Sequence, residues 1–123
     1  MSAERIVTNF QRGLLPMLLL QLLTDRDMYG YEMVREIGRR SRGRIITQEG
    51  SLYPVLYRLL QMNCITEYLQ DTELKRKRTY FHLTPDGRVY LQSLTEEYDA
   101  ISQGVAWILG KEETRDEAGA PEV

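Results

Sequence analysis

Apolar residues change their spacing several times along the chain, and each change marks an element. From Leu14 to Leu23 only Pro16 and Gln21 interrupt a run of leucines and one methionine. Such a run predicts a helix buried on most sides and central to its domain, with Pro16 tolerable only in the first turn. A polar break at Thr24 to Asp27 follows. Met33, Val34 and Ile37 then lie on one face of a second short helix, opposite Glu32, Arg35, Glu36, Arg39 and Arg40. Ser41 to Thr47, which contains Gly43, reads as a turn. Over Glu49 to Asn63 the inward stripe is Leu52, Val55, Leu56 and Leu59. With Ser51 or a near neighbour as N-cap, Pro54 falls in the first turn, where its missing N–H costs nothing, and Asn63 suits a left-handed helix stop.

The pattern then shifts to a period of two. Ile65 to Gln70 and Arg78 to Leu83 predict two short strands joined by the polar stretch Asp71 to Lys77, and Thr79, Phe81 and Leu83 alternate with Tyr80 and His82. Thr84, Pro85 and Asp86 open a last helix. Its apolar positions Leu91, Leu94, Tyr98, Ile101, Val105 and Ile108 advance by alternating steps of three and four, a heptad seam suited to a partner helix. Gly110 to Val123 holds five acids and two bases and reads as a solvated, disordered tail.

Helix, helix, turn, helix and hairpin in that order predict a mainly α protein with a small β-hairpin, a winged helix-turn-helix. The winged domain spans residues 1–84, a C-terminal dimerisation helix 85–109 and the acidic tail 110–123. At 123 residues and 42% hydrophobic the chain is long enough for one domain with a real core. Its net charge of −2 counts at first against a polyanionic partner. Position reverses that inference. Residues 1–88 hold 14 bases and 10 acids (net +4), and residues 89–123 hold 2 bases and 8 acids (net −6). Arg39, Arg40, Arg42 and Arg44 precede the third helix, and Lys75, Arg76, Lys77 and Arg78 occupy the hairpin loop. One such run is most often a solvated surface, but these two fall where the fold would meet phosphates.

Cys64 is the single cysteine and His82 the single histidine, so neither an intramolecular disulfide nor a Cys/His metal site can form, and no cofactor is expected. No nucleophile, base and orienting group come together, which argues against an enzyme. His82 reads as a surface strand residue and Cys64 as inert core. The run Leu14 to Leu23 is too short to span a bilayer and leads into Thr24, Asp25, Arg26 and Asp27 without a cleavage site, so no membrane contact and a cytoplasmic location are expected.

Three segments carry a family resemblance. Tyr29-Gly30-Tyr31-Glu32, then Glu49-Gly50-Ser51-Leu52-Tyr53-Pro54-Val55-Leu56-Tyr57-Arg58-Leu59, then Arg78-Thr79-Tyr80-Phe81-His82-Leu83-Thr84-Pro85-Asp86-Gly87 resemble the PadR family of bacterial transcriptional regulators, over about Gly13 to Leu109. The chain departs from the family pattern at Asn63 and Cys64, where a glycine and an apolar residue are usual, and in lacking a loop glycine among Glu73-Leu74-Lys75-Arg76. The resemblance implies a homodimeric repressor of an adjacent operon, of the subgroup with a single C-terminal helix, released from DNA by a small aromatic or phenolic, drug-like effector. A protein-docking module that no longer binds DNA is the alternative. The expected partners are a pseudo-palindromic double-stranded operator, a second copy of the chain and that effector.

On this reading Ser51, Tyr53 and Tyr57 offer hydroxyls at the start of the third helix, with Tyr53 either on DNA or packed against the second helix. Arg58 either reaches a phosphate or pairs with Glu49 or Glu36. Thr47 and Gln48 either contact DNA or cap the helix, and Tyr31 either donates to a phosphate or packs in the core. Arg42, Arg44, Lys75, Arg76, Lys77 and Arg78 supply charge. Trp107, one turn from Gly104 and two from Ala100, either stacks an aromatic effector beside Leu18 or packs on the first helix near Leu18 or Leu22. Met17 reads as core.

Overall fold

The computed structural model describes residues 11–111. Its elements are α1 (Leu15–Leu23), β1 (Met28–Tyr29), α2 (Gly30–Arg40), α3 (Glu49–Gln61), β2 (Ile65–Asp71), β3 (Lys77–Leu83) and α4 (Pro85–Leu109). The winged unit ends after Leu91, so the first turns of α4 belong to it and the division falls inside the helix.

Burial follows the leucine run. Leu15, Leu19, Leu20, Leu22 and Leu23 are buried, and α1 packs on α2, α3 and β3, the central place its composition predicts. Pro16 sits in its first turn. Met33 and Ile37 from α2, the four stripe residues of α3, and Phe81 and Leu83 from β3 close the core around it. The sheet is antiparallel with order β1-β3-β2, one strand more than the pattern predicts. β1 is only two residues long, pairing Met28 with Phe81 and Tyr29 with Tyr80, and a period cannot be read from two residues.

One boundary needs correction. α3 starts at Glu49 with Gln48 as N-cap rather than near Ser51, so Pro54 lies inside the helix and not in its first turn. Its ring removes one helical hydrogen bond at an exposed position, leaving the Gly50 carbonyl to water. Neither Thr47 nor Gln48 caps α3 through its side chain. The stop at Asn63 is as expected: its φ is 62°, and the Cys64 N–H reaches the Leu59 carbonyl at 2.9 Å.

The α2 surface carries a compact ion cluster. Glu36 accepts from Arg39 Nη2 at 2.7 Å and Arg40 Nε at 2.9 Å, and Arg40 also reaches Asp25 at 2.8 Å. Hydrogen bonds from Arg39 and then Arg40 hold the Glu36 carboxyl down at about 2, against an ordinary 4.5. A carboxylate depressed on folding contributes stability above its unfolded value that disappears as pH falls through its folded one. Glu36→Gln should therefore leave thermal stability falling less steeply than wild type between pH 4.5 and about 2. Melting curves across that window check it.

Candidate nucleic-acid interface

Three surfaces of the winged unit carry the cations and hydroxyls that the sequence singles out. In the α2–α3 turn, Arg42 and Gly43 adopt left-handed φ of 58° and 80°, and the Ile45 N–H donates to Ser41 Oγ at 2.9 Å. This geometry turns Arg42 and Arg44 out to solvent. Neither forms an ion pair among the described residues, whereas Arg39 and Arg40 beside them are neutralised by Glu36 and Asp25.

The second surface is α3. Tyr57 is 56% exposed and Gln48, Gly50 and Arg58 are also open. Arg58 pairs with neither Glu49 nor Glu36 and has no ion-pair partner among the described residues. Ser51 is half-buried on the side of α3 that faces the start of α1. Two of the expected contacts are less open. Thr47 is buried at 8% exposure, its hydroxyl without a partner among the described residues. Tyr53 packs: a Cβ on Gly30 would stand 2.6 Å from the Tyr53 hydroxyl, so only glycine at the start of α2 admits the ring. Burial, then the nearby Glu49 carboxylate, pushes the Tyr53 phenol up. Tyr31 is 49% exposed, with the Arg35 guanidinium 5.3 Å above its ring.

The hairpin is the third. Only Ile65 of β2 is buried, so the rest of the strand stands in solvent. The tip is closed by Lys75 N–H to Thr72 O and Thr72 N–H to Arg76 O, each 2.8 Å. Lys75 takes a φ of 60°, the conformation a loop glycine would supply, and so keeps a charge at the turn. Lys75 and Arg76 have no ion-pair partner among the described residues. Lys77 pairs with Asp71 at 3.2 Å, and Arg78 is half-buried with its guanidinium 5.5 Å from the Tyr29 ring centroid. Arg78 is thus held on the sheet and is not a free tip cation.

Sequence spacing does not reveal what steadies this hairpin. Asp27, just before β1, accepts from Tyr68 Oη of β2 at 2.7 Å and bonds His82 Nδ1 of β3 at 2.8 Å. These partners are 41 and 55 residues away, so no local pattern signals them. Hydrogen bonds from Tyr68 and His82 outweigh the opposing effect of burial and hold the Asp27 carboxyl below the usual carboxylate range. The same hydrogen bond pushes the Tyr68 phenol up to about 12. Tyr80 lies between the two strands' rings, 5.7 Å from Tyr68 in a stacked pair and 5.3 Å from Tyr29 edge-on. One carboxylate and three rings thus fix the outer sheet face.

Beyond the winged unit, α4 leaves Tyr98, Ile101, Val105 and Ile108 exposed, and Leu94 half-buried. Leu91 differs from the rest of the expected seam, being buried in the core of the winged unit. Trp107 is 63% exposed, Gly104 half-exposed. Leu18 is half-buried on α1, and Cys64 is buried, which pushes its thiol up and away from the reactive thiolate. The tail from residue 112 lies outside the described residues. No helix among the described residues is long and apolar enough to cross a membrane.

Comparison with known proteins identifies the architecture. Residues 19–93 match the model of the transcriptional regulator PadR-like family. An uncharacterised protein of Lysinibacillus sphaericus is 34% identical over 92 residues, covering 75% of this chain and 84% of that protein. The transcriptional regulator YqjI of Escherichia coli is 27% identical over 96 residues, covering 78% of this chain but only 44% of YqjI. Among solved structures, a transcriptional regulator of Clostridium thermocellum superposes with a TM-score of 0.72 at 30% identity, covering 79% of this chain and 94% of that one. A PadR family regulator of Eggerthella lenta gives 0.74 at 25% identity, covering 89% and 93%. A family match across most of the chain, together with a winged fold shared with solved regulators, makes this chain a DNA-binding transcriptional regulator of the PadR-like family and not an enzyme.

Proposed function

We propose that the protein is a homodimeric repressor that binds a pseudo-palindromic operator and is released by a small aromatic effector. The observation that carries the dimer is the α4 surface: Tyr98, Ile101, Val105 and Ile108 keep a heptad spacing while 46%, 57%, 47% and 86% exposed. A single chain has no reason to leave four large apolar side chains of one seam in water, and a second α4 supplies the apolar surface that would cover them. Two winged units joined in this way would present paired α3 helices about 34 Å apart on one face of B-DNA. Within each unit, Arg42 and Arg44, then Gln48, Ser51, Tyr57 and Arg58, then Lys75 and Arg76 supply the contacts, and Tyr53 and Arg78 position their neighbours. The exposed Trp107, with Gly104 and Ala100 leaving room along the helix, is the surface on which a planar effector would stack.

Ile101→Glu with Val105→Glu places like charges along the seam of both copies. Sedimentation equilibrium should then show a monomer where wild type is a dimer. Operator affinity should fall at least 100-fold, since one half-site must bind without the other. A wild-type chain that sediments as a monomer at micromolar concentration would remove the dimer from this reading.

A further inference from the structure

A groove of about 510 Å³ runs between the start of α1 and the outer side of α3. Its walls carry two guanidinium groups, Arg12 and Arg58, one hydroxyl, Ser51, and the apolar surfaces of Pro16, Pro54 and Val55. No acid lines it. Arg12 and Arg58 are both exposed, and neither pairs with a carboxylate among the described residues. Elsewhere on the winged unit, Arg26, Arg39, Arg40 and Lys77 each sit against one. Two unpaired cations facing one groove repel each other, and an anion between them relieves that repulsion.

The lining also indicates what surrounds the anion. The volume exceeds what a lone phosphate needs, and proline and valine walls suit a sugar ring rather than water. A phosphodiester with its deoxyribose has this mixture of charge and apolar surface. The groove also borders the exposed side of α3, along which a DNA strand would pass.

We propose that this groove seats one sugar–phosphate segment of bound DNA, Arg12 and Arg58 sharing its phosphate and Ser51 donating to it. The DNA interface then reaches α1, which sequence reasoning treats only as core. This inference rests on the reading that α3 faces DNA.

Anisotropy of a fluorescent 30-base-pair random-sequence duplex, measured across a potassium chloride series, tests it. For one shared phosphate, the double variant Arg12→Gln, Arg58→Gln should flatten the log–log salt slope by about 0.9. Each single variant should lose affinity, the double losing less than the product of the two losses, and Arg12→Lys should retain most of the slope. Both side chains are exposed, so melting temperatures should stay at the wild-type value. An unchanged slope in the double variant, or independent multiplicative losses, overturns the proposal. If Lys75→Gln with Arg76→Gln weakens binding while Arg12→Gln does not, the groove assignment fails and DNA binding stands. If no variant alters the wild-type slope, the α3 reading itself fails. Deoxyadenosine monophosphate offers the same chemistry without a duplex, so nucleotide binding that is lost in Arg12→Gln while duplex affinity in that variant stays at the wild-type value would make this a free-nucleotide site and overturn the DNA assignment.

Discussion

Gly87→Ala should lower the melting temperature by about 8–16 °C, the largest loss of stability expected from any single added methyl group in the chain. Gly87 lies in the first turn of α4, where its N–H donates to Thr84 Oγ1 at 3.0 Å. A Cβ at this position would overlap the carbonyl oxygen of Cys64 and come within 2.6 Å of Leu83 Cδ1. The leucine can rotate away, but the carbonyl is main chain and is already held by the Thr84 N–H at 3.1 Å. The Thr84 hydroxyl also donates to Asn63 O at 2.7 Å, so helix start, α3 turn and strand β3 are locked together here. Alanine gains about 1 kcal/mol of helix propensity over glycine, while forcing the backbones apart costs about 3 kcal/mol or more. Thermal unfolding followed by circular dichroism measures the difference. Gly104→Ala is the internal control, because nothing lies within 4 Å of its added methyl, and it should be neutral or stabilising.

The same residues show how much of the fold was legible in the sequence. Local patterns fix what depends on neighbours in the chain: the leucine run of α1, the Thr84-Pro85-Asp86 start of α4, Asn63 as a left-handed stop and the alternation in β3. Elements and residues whose place is set by distant partners were misread or missed. β1 exists because Met28 and Tyr29 pair with Phe81 and Tyr80, and no two-residue pattern announces that. Pro54, read with Ser51 as N-cap, points to a helix start three residues too late, since an exposed helix tolerates a proline whose lost hydrogen bond water replaces.

The candidate site divides along the same line. Charge clustering locates the turn and the hairpin, but it does not tell free cations from paired ones. Arg39, Arg40, Arg42 and Arg44 read alike along the chain, yet Glu36 and Asp25 neutralise the first pair only. Tyr53 and Tyr57 are both aromatic residues of α3, and the close approach of Gly30 takes one into packing and leaves the other exposed. Arg12 stands alone in sequence and acquires a role only because α1 begins beside α3.

The distinction between free and paired cations makes the largest functional prediction. Changing Arg42, Arg44, Lys75 and Arg76 together to glutamine should weaken DNA binding by about 600-fold at 0.15 M salt for one winged unit, because each phosphate contact contributes about 5-fold there. The log–log salt slope should flatten by about 3.6, and by about twice that if two units bind one duplex, so the same titration also reports stoichiometry. All four residues are exposed and none has an ion-pair partner among the described residues, so the fold should survive the change. The contrasting variant removes positive charge from Arg39 and Arg40. Those guanidiniums already contact Glu36 and Asp25, at 2.7 Å for Arg39 and 2.8 Å for Arg40, and release few counterions when DNA binds. Arg39→Gln with Arg40→Gln should therefore leave the slope nearly unchanged while lowering thermal stability near neutral pH, the inverse of the four-residue variant. Equal flattening per charge removed in both variants would mean that DNA senses only the net charge of the winged unit, and the assignment of the turn and hairpin tip as phosphate contacts would have to be withdrawn.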